Sequence, residues 1–449
     1  MVVSRDKAPT AQETFMQMAQ AAGLRGRLLV TIGLLILARF GVFVPLPGIK
    51  RAEFAAALQN NAVLGFLDIF SGGGIKAVGI FALGILPYIN ASIILQLLTA
   101  AIPSLEKLQK EEGEAGRRKI SQITRWVALV WAVIQSVGIT IGLLRPYATD
   151  GVGGPLFIVQ TSLALTAGSM FVMWLSELIT ERGIGNGASL LIFLNIVAAL
   201  PTTLGQTIEL AQAGGRETVG KVVILLLVFL VMIVGIVFVQ EGTRRIPIIS
   251  ARRQVGRRLY RERTSYLPLR LNQGGVMPII FASSVLILPG FLAGFARNSA
   301  NNGFLAPVSQ TLNQVANYLN PNGSAPWVYV LVYLLLIVFF SYFYASLIVN
   351  PVDMSQNLKK MGASIPGIRP GRATSDYVER VLNRLTFLGA IFLGLVAVVP
   401  TAVESATGVT TFRGLGATSL LILVGVAIDT AKQIQTYVIS QRYEGMVKQ

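Results

Sequence analysis

The sequence predicts an all-α integral membrane protein: ten transmembrane helices in two five-helix halves that form an inverted repeat. Three observations carry the prediction. Of the 449 residues 53% are apolar and only 13% charged, with a mean hydropathy of +0.64, a balance foreign to soluble globules. The apolar residues gather into ten runs of roughly membrane-crossing length. The charges gather between the runs, where 38 Lys and Arg against 21 Asp and Glu leave a net charge of +17. Cys and His are both absent. That excludes disulfides, thiolate or imidazole metal sites and any His-based catalytic triad, so no cofactor, metal or enzymatic activity is expected.

In chain order, the first 23 residues are polar or weakly amphipathic and do not read as a cleaved signal peptide. The ten runs follow at 28–44, 75–101, 123–144, 156–179, 188–204, 219–239, 276–295, 327–349, 385–399 and 415–428. The fifth, ninth and tenth are short, and Pro201 interrupts the fifth. Charge decides the count. With ten spans, twenty-nine Lys and Arg fall on the side of the N-terminus and eight on the other, with Arg39 inside the first span. Deleting the fifth span would put the 102–122 loop, with six Lys and Arg counting Arg125, and the 241–270 loop, with nine, on opposite faces, against the positive-inside rule. Both termini are therefore expected in the cytoplasm. Arg39 lies about one turn from the outer end of its span, close enough to snorkel.

The second run has the most internal structure. A short amphipathic helix, Phe66-Leu67-Asp68-Ile69-Phe70, precedes Ser71-Gly72-Gly73-Gly74, and a long apolar segment follows. Glycine is a poor helix interior and an easy hinge. Within the segment Pro87 removes a backbone donor, while Asn90 and Gln96 carry amides to membrane depth, where polar groups turn toward protein or water. The chain halves near Gly214-Gly215 into 1–215 and 216–449. The second span of each half opens on glycines, Gly72 to Gly74 and Gly274-Gly275, and carries a proline, Pro87 or Pro278. Matched Gly/Pro-interrupted spans point to an inverted repeat with its working site between the repeats, although both residues are common in membrane helices.

Three motifs bear on function. Gly215 to Lys221 matches most of a phosphate-binding loop, but Val222 stands where Ser or Thr is needed and no strand precedes it, so the match is a coincidence. The cytoplasmic loop 241–270 holds nine arginines and no lysine. Positive-inside bias and attraction to anionic lipid explain basic loops in general, whereas arginine in particular suits bidentate contacts with phosphate and carboxylate. Arg252, Arg253, Arg257 and Arg258 are the candidate contacts with ribosomal RNA or an acidic protein. The second basic loop, 350–384, adds Arg369 on the stiff turn Pro366 to Gly371. Finally, no carboxylate falls at mid-span, which counts against a proton- or sodium-coupled transporter.

Several ordered segments resemble the SecY family of bacterial protein-conducting channels over nearly the whole chain. They are Ala82 to Ile89, Gly116 to Ile120, Glu181 to Gly187, Leu358-Lys359-Lys360, Pro366 to Gly371 and Gly416 to Ile422. The resemblance implies two halves closed like a clamshell around an hourglass pore, with a lateral gate between the second and third spans and the seventh and eighth. It implies a pore ring of Ile85, Ile89, Ile192, Ile280 and Ile422. It implies a plug at about 62–73, which contains Phe66, Leu67, Asp68, Ile69, Phe70, Ser71, Gly72 and Gly73. Implied partners are the small membrane subunits SecE and SecG, the SecA motor ATPase, the ribosome, signal sequences and nascent chains, and anionic lipids. The implied location is the bacterial inner membrane, or a thylakoid membrane where one exists. From the residues, Ile85 and Ile89 are four apart and share a helical face.

The expected function is a passive protein-conducting channel, driven by a ribosome or motor ATPase docked on the arginine loops. It would pass unfolded secretory chains across the membrane and release hydrophobic segments sideways into it. The alternative is a secondary transporter of a small solute.

Overall fold

The computed structural model describes residues 22–58, 68, 71–110, 113–149, 153–250, 253–255, 258–260, 264–286, 289, 310–311, 314–315, 317–319, 325–408 and 417–447. Each of the ten predicted windows contains helix. The described residues fall into two compact units, one drawn from Met1–Ile208 and Ile422–Gln449, the other from Glu209–Leu292 and Gln310–Leu421.

In the first unit, α1 (Ala22–Val42) is followed by the short α2 (Arg51–Leu58). Leu29, Ile32, Ile36 and Phe40 of α1 are exposed, whereas Leu24, Ala38 and Val42 are buried. The helix therefore turns one apolar face outward and another inward. The next helix, α3 (Leu86–Ala101), starts well inside the predicted second span. The residues before it form turns rather than helix. Val78 and Gly84 have positive φ, at 51° and 54°, which ends any α-helical run.

The backbone of this irregular stretch is paired elsewhere. Leu46 N–H donates to Val78 O and Ile80 N–H to Val44 O, both at 2.9 Å, and Ser169 Oγ donates to Gly84 O at 3.0 Å. Glycines on the neighbouring helices make the room. A Cβ on Gly41 would strike the Phe81 ring, and one on Gly168 would strike the Ile80 carbonyl.

The segment Pro103–Lys110 forms α4. The long α5 (Gly113–Ile139) continues through a π turn at Thr140–Leu144 and a 3-10 turn at Arg145–Tyr147. It packs on α3 and on α6 (Pro155–Arg182) through Ala91, Ala128 and Met173. A hydroxyl ladder also joins α5 and α6: Ser136 and Thr166 meet at 2.8 Å, and Ser162 Oγ donates to Thr140 Oγ1 at 3.3 Å. At one end of the pair, Arg125 Nε donates to Glu177 Oε1 at 2.8 Å. The fifth span, read from sequence as short and interrupted, is the 27-residue α7 (Gly187–Ala213), which runs through Pro201. Asn186 caps it, its Oδ1 accepting from Ala188 N–H at 3.0 Å. Gly187 packs against the Ser176 carbonyl, and Ile184 N–H donates to Thr31 Oγ1 at 3.0 Å. The conspicuous Glu181 to Gly187 motif is thus a tight corner tying α6, α7 and α1 together.

In the second unit, α8 (Gly215–Glu241) is a single helix, so the phosphate-loop look-alike forms no loop. The basic segment after it is a β-hairpin. Strand β1 (Thr243–Ser250) pairs antiparallel with β4 (Thr264–Arg270), with Ile246 opposite Leu267 and Arg244 opposite Leu269. A smaller hairpin, β2 (Arg253–Val255) with β3 (Arg258–Tyr260), lies between them. The apolar helix α9 (Met277–Leu286) follows. Next come α10 (Pro326–Ile348), α11 (Pro351–Lys360) and β5 (Ala363–Ser364), which pairs with β1. The 36-residue α12 (Arg372–Thr407) runs through Pro400; α13 (Ala417–Val447), which ends the described chain, belongs from Ile422 onward to the first unit. The hairpin docks by period-two alternation: Ile246 and Leu269 join Ile365, Val378, Leu382 and Leu385 in one buried cluster. Helix α9 is held to α10 by Phe281, whose ring lies edge-on 5.6 Å from Phe340 and 5.4 Å from Tyr344.

The glycine packing can be tested. Gly168→Val sets a branched side chain against the Ile80 carbonyl, an overpacking worth about 1–3 kcal/mol. It should lower the melting temperature of the purified protein, whereas Gly205→Ala, whose Cβ meets nothing within 4 Å, should not. Equal melting temperatures would show that the close approach of α6 to Ile80 is dispensable.

Candidate functional site

The second run was expected to be a full helical span with Pro87 loosening its interior. Instead Ile85 is the N-cap of α3 and Pro87 lies in its first turn. There the missing N–H removes no intrahelical bond and the fixed φ favours initiation. The pairing of Ile85 with Ile89 survives, because Ile89 N–H donates to Ile85 O at 3.1 Å. The seventh run repeats the local pattern. Gly275 has φ of 58°, Asn272 Nδ2 donates to Gly275 O at 2.8 Å, and Pro278 is the second residue of α9. Each run thus joins a glycine turn to a short apolar helix with proline in its first turn.

All five isoleucines of the expected ring are buried: Ile85 is 1% exposed, Ile89 8%, Ile192 2%, Ile280 6% and Ile422 1%. Ile85, Ile89, Ile192 and Ile422 belong to the first unit and Ile280 to the second.

Of the expected plug, Phe66, Leu67, Ile69 and Phe70 lie outside the described residues. Asp68, Ser71, Gly72 and Gly73 are wound into one turn. Ser71 Oγ donates to Asp68 O at 2.9 Å and accepts from Ile75 N–H at 3.2 Å. Gly73 N–H donates to Asp68 O at 2.8 Å, and Lys76 N–H donates to Asp68 Oδ1 at 2.8 Å. Burial pushes the Asp68 carboxyl above the usual carboxylate range, while the Lys76 amide and charge pull it back down. Arg39, expected to snorkel outward, turns inward. Its Nη1 donates to Gly72 O, and its guanidinium sits 4.9 Å from the centroid of the Phe43 ring.

The basic surface is built on the second unit. Arg252 and Arg257 lie outside the described residues. Arg253 and Arg258 fall on β2 and β3, with Arg258 opposite Val255 and Arg253 opposite Tyr260. Arg369 sits on a turn fixed from two sides. Ile368 N–H donates to Ile365 O at 3.1 Å, and the buried Thr374 donates through Oγ1 to Arg369 O at 2.9 Å. Ser355 Oγ donates to Gly371 O at 2.6 Å. Gly367 and Gly371 supply φ of 78° and 113°. Asn350 caps α11 and Lys359 and Lys360 end it, a charge order that suits the helix dipole. Sequence reasoning missed the hairpin, although Ile246 and Ile248 against Leu267 and Leu269 carry the alternation that predicts it. It also missed Glu404, buried in the last turn of α12, because the ninth window stopped at 399.

Long helices with apolar outer faces, such as Leu227, Leu230, Val234 and Phe238 on α8, a basic hairpin in the second unit and buried non-helical backbone in the first stand together in this chain. They define a multi-pass membrane protein of the channel class. The sequence profile of the SecY family matches residues 79–431. The protein translocase subunit SecY of a Synechocystis species is 75% identical over 449 residues, covering all of both chains. The chain belongs to the SecY family. Two solved structures share the fold. One concerns the plug domain of SecY, which stabilises the closed state of the translocation channel and maintains a membrane seal. It matches with a TM-score of 0.64 at 16% identity over 91% of each chain. The other is Sec61 in the canine ribosome-channel complex, with a TM-score of 0.62 at 15% identity over 91% of each chain.

Removing the hydroxyl that holds the Arg369 carbonyl should loosen its turn without changing any charge. Thr374→Val should cost about 1 kcal/mol locally, read as faster amide hydrogen exchange in 366–371 with exchange in β1 and β4 unchanged. Exchange unaltered in both segments would mean the glycine turn stands without Thr374.

Proposed function

We propose that this chain is the pore through which unfolded secretory polypeptides cross the membrane and from which hydrophobic segments leave sideways into lipid. One observation carries the reading: the stretch from Ser71 to Ile85 is non-helical yet buried, with Val78, Leu83 and Ile85 at 1–3% exposure. Irregular backbone at membrane depth is tolerated where it lies within protein or lines a watery cavity. Here it leads directly into Ile85 and Ile89.

The waist of the pore is the ring of Ile85, Ile89, Ile192, Ile280 and Ile422. Branched aliphatics exclude ions by dewetting and make no directional bonds that would hold a passing chain. Residues at about 62–73 act as a plug on the outer side of the ring. The gate opens between the second and third spans and the seventh and eighth. The chain contributes no driving force of its own. A ribosome or the SecA motor docks on the β2–β3 hairpin and the Arg369 turn, SecE and SecG complete the membrane complex, and anionic lipids meet the same basic face. The membrane is the bacterial inner membrane, or a thylakoid membrane where one exists, with both termini in the cytoplasm.

Two experiments test this. Replacing Ile85 and Ile192 with Asn should wet the waist and raise resting ion conductance, whereas Leu at both positions should change little. A polar double variant that conducts like the parent would refute the ring. Reversing Arg252, Arg253, Arg257, Arg258 and Arg369 to Glu should weaken binding of ribosomes or motor ATPase while membrane insertion proceeds normally. Binding should fall with salt in the parent, as phosphate and carboxylate contacts do. Affinity that is unmoved by either change would remove the docking surface.

A further inference from the structure

Arg39 poses a problem that topology does not solve. It lies near the outer end of the first span, the side on which positive charge is disfavoured, and a guanidinium there is costly unless something inside the protein receives it. The receiver is Gly72. Arg39 Nη1 donates to the Gly72 carbonyl, and the Phe43 ring covers the guanidinium at 4.9 Å. Asn195 of α7 approaches the same glycine. A Cβ on Gly72 would lie 2.5 Å from Asn195 Oδ1 and 2.7 Å from Arg39 Nη1, and the backbone there has φ of 67°. Side chains from the first and fifth spans therefore close on one glycine whose conformation and clearance exclude any other residue.

What they grip is a unit. The bonds from Asp68 to Ser71, Gly73 and Lys76 wind the turn upon itself, so holding Gly72 holds the whole turn. We propose that Arg39 and Asn195 are positioning residues: a polar clasp on Gly72 that holds the turn joining Asp68 to Lys76 in its resting place. The consequence for sealing rests on the reading of 62–73 as the plug. Opening requires the clasp to release the charge-assisted bond from Arg39, a small cost that an arriving hydrophobic segment can offset.

The test uses the assembled translocon in proteoliposomes and exploits the absence of cysteine. Ser71→Cys, buried in the parent, reports the clasp through its labelling rate with a membrane-impermeant maleimide. Adding Arg39→Gln should raise that rate about tenfold or more, as expected for loss of one charge-assisted bond in a local opening equilibrium, with Arg39→Lys in between. Resting ion conductance should rise in parallel, while preprotein translocation persists and shows that the channel is folded. Should Arg39→Gln fail to accumulate, Asn195→Ala and Gly72→Ala probe the same clasp from the other side. Labelling unchanged in every variant would overturn the clasp. Deletion of 62–73 separates the two ideas. If labelling rises with Arg39→Gln but neither that variant nor the deletion leaks, the clasp stands and the plug reading fails. If the deletion leaks and Arg39→Gln neither labels faster nor leaks, the plug stands and the clasp fails.

Discussion

Backbone amides and carbonyls that leave the helix inside a membrane protein must find partners within the protein, and the stretch from Ser71 to Ile85 is where that demand shapes the fold. Helix α3 has 16 residues, about 24 Å at 1.5 Å per residue and short of a hydrocarbon core of about 30 Å. The turns before it cover the remaining depth. They borrow bonds from residues 44–46 and from Ser169, and they need glycine at 79 and 168 to let backbones touch and at 41 to admit the Phe81 ring. Much of the first unit is arranged around that exchange: α1 and α6 carry their small residues where the turns press on them.

This explains what the sequence could and could not disclose. Hydropathy found every span, because burial in lipid and burial in protein both demand apolar residues. For the same reason it could not distinguish a helix from a buried turn, and it ran the second span back to Ile75. The glycines at 72, 73, 74, 79 and 84 were the available signal. Only the first three were read, as a hinge ahead of a helix rather than as part of a longer non-helical segment. Pro87 was misread in the same way: it was taken to remove a donor inside a helix, while its place in the first turn makes it a starter. The basic loop hid its hairpin because arginine dominated the reading, although isoleucine and leucine at alternate positions carried the fold.

The proposed ring rests on the resemblance alone. Ile85 and Ile89 share a face by spacing, but burial does not single out five isoleucines when Ile93, Ile139, Ile179, Ile196 and Ile236 are buried as well. Aliphatic side chains carry no polar signature that would separate a pore constriction from ordinary packing. Polar residues behave differently. Asn186, Thr374 and Ser355 each leave a directional bond in the structure, so their roles can be argued residue by residue.

Arginine serves two opposite ends here, and position decides between them. At Arg369 the structure fixes the backbone: Thr374 holds its carbonyl and two glycines shape the turn, a design that spends internal bonds to present a side chain. At Arg39 the side chain itself makes the internal bond, and the partner is another segment's carbonyl. A cation used for docking loses little when exchanged for lysine unless the contact is bidentate. One that must reach a buried carbonyl and lie flat on a ring needs the planar fork. The two arginines therefore meet different geometric requirements: Arg369 is held exposed on a fixed turn, and Arg39 is engaged with the Gly72 carbonyl.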